Sequence, residues 1–206
     1  LVNPRCDPRG EEARRMAVHG GHHLDSASHY PSLASAVADC SRVVATCGRL
    51  EHGTIPLQSP DQALQWLVDA GGPIAVVFGR EDCGLTNEEL RLCHRVLSLH
   101  SGAIYPSLNL SHAVGVVLHD LARLQLKPVS NGAAEPDPAP PAQLTGLLDD
   151  AADLLLSCGF LLPHTRDARM AKVRDLLQRA SSRSEEVAML RGMVRQLRWA
   201  MGAKRS

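Results

Sequence analysis

The chain has 206 residues, with 22 Lys and Arg against 22 Asp and Glu. That length suits one ordinary domain plus a smaller one, and the balanced charge does not by itself announce a nucleic-acid partner. No run reaches the roughly 18 apolar residues of a membrane span, and no basic-then-apolar leader opens the chain, so a cytoplasmic protein is expected. The six cysteines form no C-x-x-C pair and read as reduced, mostly buried thiols. His22-His23 lacks a further ligand at helical spacing, so no metal site is expected.

"LVNP" at the start reads as the end of a strand. Residues 11–20 (EEARRMAVHG) read as a helix ending at a glycine pair. Residues 32–40 and 60–70 read as helices opening on Ser or Ser-Pro. Between them, "RVVATC" (42–47) and "PIAVVFG" (73–79) are short, β-branched runs of the kind buried in parallel sheets, and "RVLSLH" (95–100) is a weaker third. "LTNEEL" (85–90) carries a capping box, Thr86 with Glu89. "SHAVGVVLHDL" (111–121) completes the alternation with an apolar helix. Strands alternating with helices predict an α/β fold, a parallel sheet with helices on both faces.

"KPVSNGAAEPDPAPPAQ" (127–143) reads as a linker, rich in Pro, Ala and small polar residues. It divides a first domain, 1–126, from an all-α unit, 144–206. In that unit Leu144, Leu147, Leu148, Ala151, Leu154, Leu155 and Cys158 form one apolar face. Val173, Leu176 and Leu177 form a second, and Val187, Leu190, Val194, Leu197 and Met201 a third, entered through Ser184. Residues 164–206 hold eleven Lys/Arg against four Asp/Glu. This excess fits a phosphate-facing surface or an ordinary solvated helix face equally well.

Two loops stand where ligands bind in open α/β sheets, beyond the carboxyl ends of strands. In "VVFGREDCGLTNEEL" (76–90), Gly79 lets backbone approach closely, and Glu81 and Gly84 follow. In "YPSLNLSHAV" (105–114), Ser107, Asn109 and Ser111 crowd the start of a helix, where one cap needs only one such residue. Gly-rich fingerprints of dinucleotide or P-loop sites are absent, which argues against an NAD or ATP enzyme.

"LVNPRCDP", "VVFGREDCGLTNEEL" and "YPSLNLSHAV" occur in the order and spacing of one family. They resemble the SpoU/TrmH branch of the SPOUT RNA methyltransferases, most closely the TrmJ type, and the likeness extends to "LRGMVRQL" (190–197). The resemblance implies S-adenosylmethionine-dependent methylation of a ribose 2′-hydroxyl in tRNA, at anticodon-loop position 32 in that type, with rRNA as the neighbouring substrate class. It also implies a C-terminal trefoil knot in the α/β domain and a homodimer. The cofactor is expected against Thr46, Cys47, Gly79 and the segment from Leu99 through Ser107 to Leu108. Ser107 and Asn109 are expected as catalytic residues that also cap the helix, with Glu81 and Gly84 supporting a loop.

The family's usual base is an arginine in an Asn- and Gly-containing motif on its first strand–helix unit. This sequence opens at what corresponds to the second strand, and Arg5, Arg9 and Arg14 do not match that motif. A second reading is therefore carried forward: a catalytically silent RNA-binding paralogue, or a fragment. Aromatic residues make up 3% of the chain, too few for base stacking to dominate. RNA contacts are expected from phosphate-facing cations on the C-terminal helices, led by Arg166, Arg169, Lys172 and Arg174, with Trp199 in core or dimer packing.

Overall fold

The computed structural model describes residues 1–48, 55, 57–99, 108–125 and 137–203. Short helices α1 (Glu11–Ala17), α2 (Gly21–Ser26) and α3 (Leu33–Ala36) precede strand β1 (Arg42–Thr46). Strand β2 (Leu57–Gln58), helix α4 (Pro60–Val68), strand β3 (Ile74–Val77), helix α5 (Asn87–Leu90), strand β4 (Arg95–Leu97) and helix α6 (Leu110–Gln125) follow. The expected cap signals are used. Ser32 and Ser35 form a capping box on α3, Ser59 accepts from the Gln62 N–H with Pro60 in the first turn of α4, and Thr86 and Glu89 cap α5 reciprocally.

The four strands are parallel, in the order β2-β4-β1-β3. β1 lies between β3 and β4, which pair both its edges, and side-chain layers pack on both its faces, so Val43, Val44 and Ala45 have no solvent exposure. This is why its sequence is a continuous apolar run rather than an alternation. Val43 and Ala45 point to a layer with Leu33, Leu85, Leu90 and Val96. Val44 points to the opposite layer, made by Ala63, Leu64, Trp66, Leu67 and Val117 of α4 and α6. Each fully buried Leu or Val there contributes roughly 1.5–3 kcal/mol before entropy is counted.

Two expectations for the first half need correction. Residues 1–4 do not join the sheet: Val2 forms an isolated parallel bridge with Tyr30. The fourth strand is Leu57–Gln58, two residues beside β4 that are too short to leave a periodic signal. The six thiols are also less buried than expected. Cys40 and Cys93 are buried and Cys47 is intermediate, while Cys6, Cys83 and Cys158 are exposed. Burial pushes the Cys93 thiol up to about 12, which leaves it unreactive.

The C-terminal segment forms α7 (Pro141–Ser157), a 3₁₀ turn (Pro163–Thr165), α8 (Arg166–Arg179) and α9 (Ser184–Ala203). Pro141 to Gln143, read from composition as the linker's end, make the first turn of α7, because proline suits the first helical position. On α8, Met170 and Leu177 face α7, whereas Val173 and Leu176 are exposed. The phase of that helix is thus rotated from the expected apolar face. On α9, Val187, Leu190 and Val194 pack inward, but Leu197 is exposed and Trp199 is 68% exposed, outside the chain's own core.

Two polar clips fasten this unit to the sheet. Arg42, 1% exposed, donates through Nε to Asp137 Oδ1 at 2.6 Å and through Nη1 to the Trp66 carbonyl, with its guanidinium over the Trp66 ring. His94 Nδ1 accepts from the Val43 N–H at 2.9 Å, which leaves Nε2–H to donate to the Ala139 carbonyl at 3.2 Å. Burial lowers the His94 pKa and keeps the ring neutral, as this pair of roles requires. The second clip joins α8 to the chain after α5. Arg91 Nε donates to Asp175 Oδ1 at 3.2 Å, and Gln178 Nε2 donates to the carbonyls of Arg91 and Cys93.

Candidate active site

The parallel register brings the carboxyl ends of β1, β3 and β4 side by side, with Ala45 opposite Val77 and Thr46 opposite Leu97. Thr46 Oγ1 donates to the Val77 carbonyl at 3.3 Å, and the Cys47 N–H donates to the Leu97 carbonyl at 2.9 Å. Thr46 and Cys47 thus tie the exits of all three strands together. Leu99 leaves β4 half-buried against the α4–α6 layer, and Leu108 is partly exposed at the approach to α6. Ser107 lies outside the described residues, so the third loop is represented by Leu99, Leu108 and Asn109.

Gly79 is required for a reason the sequence reading did not anticipate. A Cβ there would fall 2.4 Å from the Gly84 carbonyl carbon and 2.5 Å from the Leu85 nitrogen. The space a side chain would fill is taken by the loop's own backbone. Gly84 adopts φ +68°, with open space where its Cβ would be, and its N–H closes the loop on the Arg80 carbonyl at 2.8 Å. One glycine permits contact and the other permits a left-handed turn.

The crowd of polar residues before α6 resolves into a clamp. Asn109 Oδ1 accepts from the Ser111 N–H at 2.9 Å and from Ser111 Oγ at 2.7 Å, capping α6. Its Nδ2 donates to Glu81 Oε1 at 2.6 Å. Both halves of the carboxamide are engaged, one with the helix end and one with the 79–85 loop. Asn109 therefore links the start of α6 to the 79–85 loop, and the carboxylate it meets, Glu81, belongs to the same chain.

Beside this loop lies an open cleft of about 1810 Å³. One wall is built from residues 77–92, including Gly79, Glu81 and Gly84, and the opposite wall from α8, including Lys172 and Arg174; residues 2–6 and 31–34 complete it. The four cations expected to meet RNA are not equivalent. Lys172 is exposed along the cleft. Arg174 turns toward Thr145 Oγ1 at 3.4–3.5 Å, and burial lowers its pKa. Arg166 pairs with Asp167 at 2.9 Å, and Arg169 donates to the Phe160 carbonyl at 3.1 Å beside the exposed Phe160 ring. Arg91, Asp175 and Gln178, which join the two walls, left no mark in the sequence, because residues 84–87 apart carry no periodic signal.

Residues 1–119 match the SpoU rRNA Methylase family, and residues 142–206 match the C-terminal domain of the tRNA methyltransferase TrmJ. The tRNA (cytidine/uridine-2′-O-)-methyltransferase TrmJ of Cronobacter sakazakii is 35% identical over 203 residues, covering 94% of this chain and 82% of that protein. The Klebsiella pneumoniae protein of the same name is 34% identical over 201 residues, with the same coverage. Among solved structures, TrmJ from Z. mobilis ZM4 superposes with a TM-score of 0.80 at 30% identity, covering 96% of this chain and 85% of that one. A probable methylase family protein from Haemophilus influenzae Rd KW20 gives 0.57 at 30% identity, covering 99% and 85%.

Proposed function

The chain belongs to the SpoU rRNA Methylase family, and we propose that it methylates a ribose 2′-hydroxyl of tRNA with S-adenosylmethionine as methyl donor. The observation that carries this reading is likeness to tRNA 2′-O-methyltransferases across both the sheet and the C-terminal helices. A shared sheet alone would support only the fold.

The residues at the strand exits suit such a donor. Thr46, Cys47, Gly79, Leu99 and Leu108 bring no cation that would repel a sulfonium. The loop they adjoin carries the carboxylate of Glu81, bonded by Asn109, and its one cation, Arg80, lies beside the carboxylates of Asp82 and Glu89. These residues would hold the donor. When bound, it supplies a methyl group already activated by a leaving group that departs neutral. The chain's own task is then to order the 79–85 loop, present the ribose oxygen in line and exclude competing water. Such alignment supplies roughly 7–11 kcal/mol, more than the ~10²–10⁴-fold of one positioned base. Asn109 serves this task as a positioning residue rather than as an acid or base.

The finer features belong to the same proposal. The reacting ribose lies in the anticodon loop, residues 1–126 are the catalytic domain with a trefoil-knotted C-terminal portion, and the helices after the linker hold RNA. A second copy packs on α6, where Val116 and Leu118 present apolar surface to solvent. The test is transfer of labelled methyl from S-adenosylmethionine to an unmodified tRNA pool, followed by nucleoside mapping, with rRNA fragments in parallel. A 2′-O-methylated pyrimidine in tRNA is expected. Donor binding without transfer to either RNA would instead favour a silent RNA-binding relative.

A further inference from the structure

The RNA-facing helix and the loop expected to hold the methyl donor belong to different units of the chain, yet one small joint holds them in register. Asp175 is 7% exposed, on the cleft side of α8, and accepts from Arg91 Nε. One turn later Gln178 donates to the carbonyls of Arg91 and Cys93, which follow the end of α5. α5 is itself bound to the loop before it: Thr86 and Glu89 cap each other, and Arg80 lies within 3.8 Å of Glu89. The loop continues through Glu81 to Asn109 and the start of α6. Every non-covalent link in this series is a hydrogen bond or an ion pair.

We infer that Arg91 and Gln178 are positioning residues, which set the α8 cations at the height over the 79–85 loop where bound RNA presents its ribose oxygen to the methyl donor. This rests on the tRNA methyltransferase reading. The physical reason is the steep distance dependence of an in-line transfer, where a misplacement of about 1 Å lowers the rate by about 10²-fold. Lys172 lies on the cleft three residues before Asp175, so rotation or sliding of α8 carries RNA with it. The inferred role needs no contact from either side chain to the donor or the ribose, and because Arg91 lines the cleft the tRNA KM separates placing RNA from holding it.

The test measures kcat and KM for Arg91→Ala and Gln178→Met in the full chain, with unmodified tRNA and S-adenosylmethionine. kcat should fall by about 10–100-fold, while both KM values stay within about twofold. Arg91→Lys, which keeps a cation opposite Asp175, should recover part of the loss. A merely structural role would lower the melting temperature and leave kcat of the folded fraction unchanged. Unchanged kcat in both variants overturns the inference while leaving the activity intact. A raised tRNA KM at constant kcat also overturns it, because the joint would then hold RNA rather than place it. If Arg91→Ala does not fold, Gln178→Met decides by the same criteria. Failure of the unaltered chain to methylate tRNA sinks the underlying reading instead.

Discussion

Asn109→Asp separates the two tasks of one side chain. Aspartate is as good a helix cap as asparagine, so its carboxylate still accepts from the Ser111 N–H and hydroxyl. The other half of the clamp reverses. Where Nδ2 donates to Glu81 Oε1 at 2.6 Å, two carboxylate oxygens would meet. Two unit charges at that distance repel by about 1.6 kcal/mol at the dielectric constant of water, and the lost hydrogen bond adds about 1 kcal/mol. Both groups are solvent-accessible and turn apart in part, so a loss of about 2 kcal/mol is expected in urea denaturation. Pairing it with Glu81→Gln restores a donor opposite the new acceptor and should recover most of that loss. Raising salt to about 1 M should shrink the deficit of the single variant toward its hydrogen-bond part. S-adenosylmethionine affinity, followed by calorimetry, should fall and recover in parallel. If Asn109→Asp is as stable as the parent at low salt, or the double variant recovers nothing, the clamp does not order these loops.

The two loop glycines should respond differently. Gly79→Ala forces a Cβ into backbone and should cost about 1–3 kcal/mol in urea denaturation, whereas Gly84→Ala meets no atom and should cost only the about 1–2 kcal/mol of a left-handed turn. His94 makes stability depend on acid. Burial holds its folded-state pKa below the ordinary value, with the Ala139 bond and Asp137 opposing and Arg42 and Arg95 assisting. The contribution is therefore complete above about pH 6.5 and is lost as pH falls toward the lower folded value; His94→Gln should flatten this limb of a melting-temperature profile. Asp137→Ala removes the carboxylate 2.6 Å from Arg42 Nε, while the bond to the Trp66 carbonyl stays, and should cost about 1–3 kcal/mol by chemical denaturation. Lys172→Ala should weaken tRNA binding and reduce the slope of log K against log salt by about 0.7–0.9, whereas Arg174→Ala should act more on stability, because its guanidinium turns toward Thr145.

Strands β1, β3 and β4, the capped helices and the identity of the loops at their exits were legible in the chain itself, because each is a local pattern. A strand buried on both faces must be apolar throughout, as Val43, Val44 and Ala45 are. A helix start must satisfy its own N–H groups, as Thr86 and Asn109 do. What depends on atoms far apart in sequence was not legible. The two-residue strand at Leu57–Gln58 exists only because β4 is there to pair with it. Gly79 is needed because Gly84 and Leu85 fold back over it, and α8 turns Met170 and Leu177 to α7 while Asp175 and Gln178 reach Arg91 and Cys93. Local hydrogen bonding and burial pattern leave their record in neighbouring residue types, whereas the register between two packed units is decided by which polar groups meet across the interface, and only the tertiary structure contains that information.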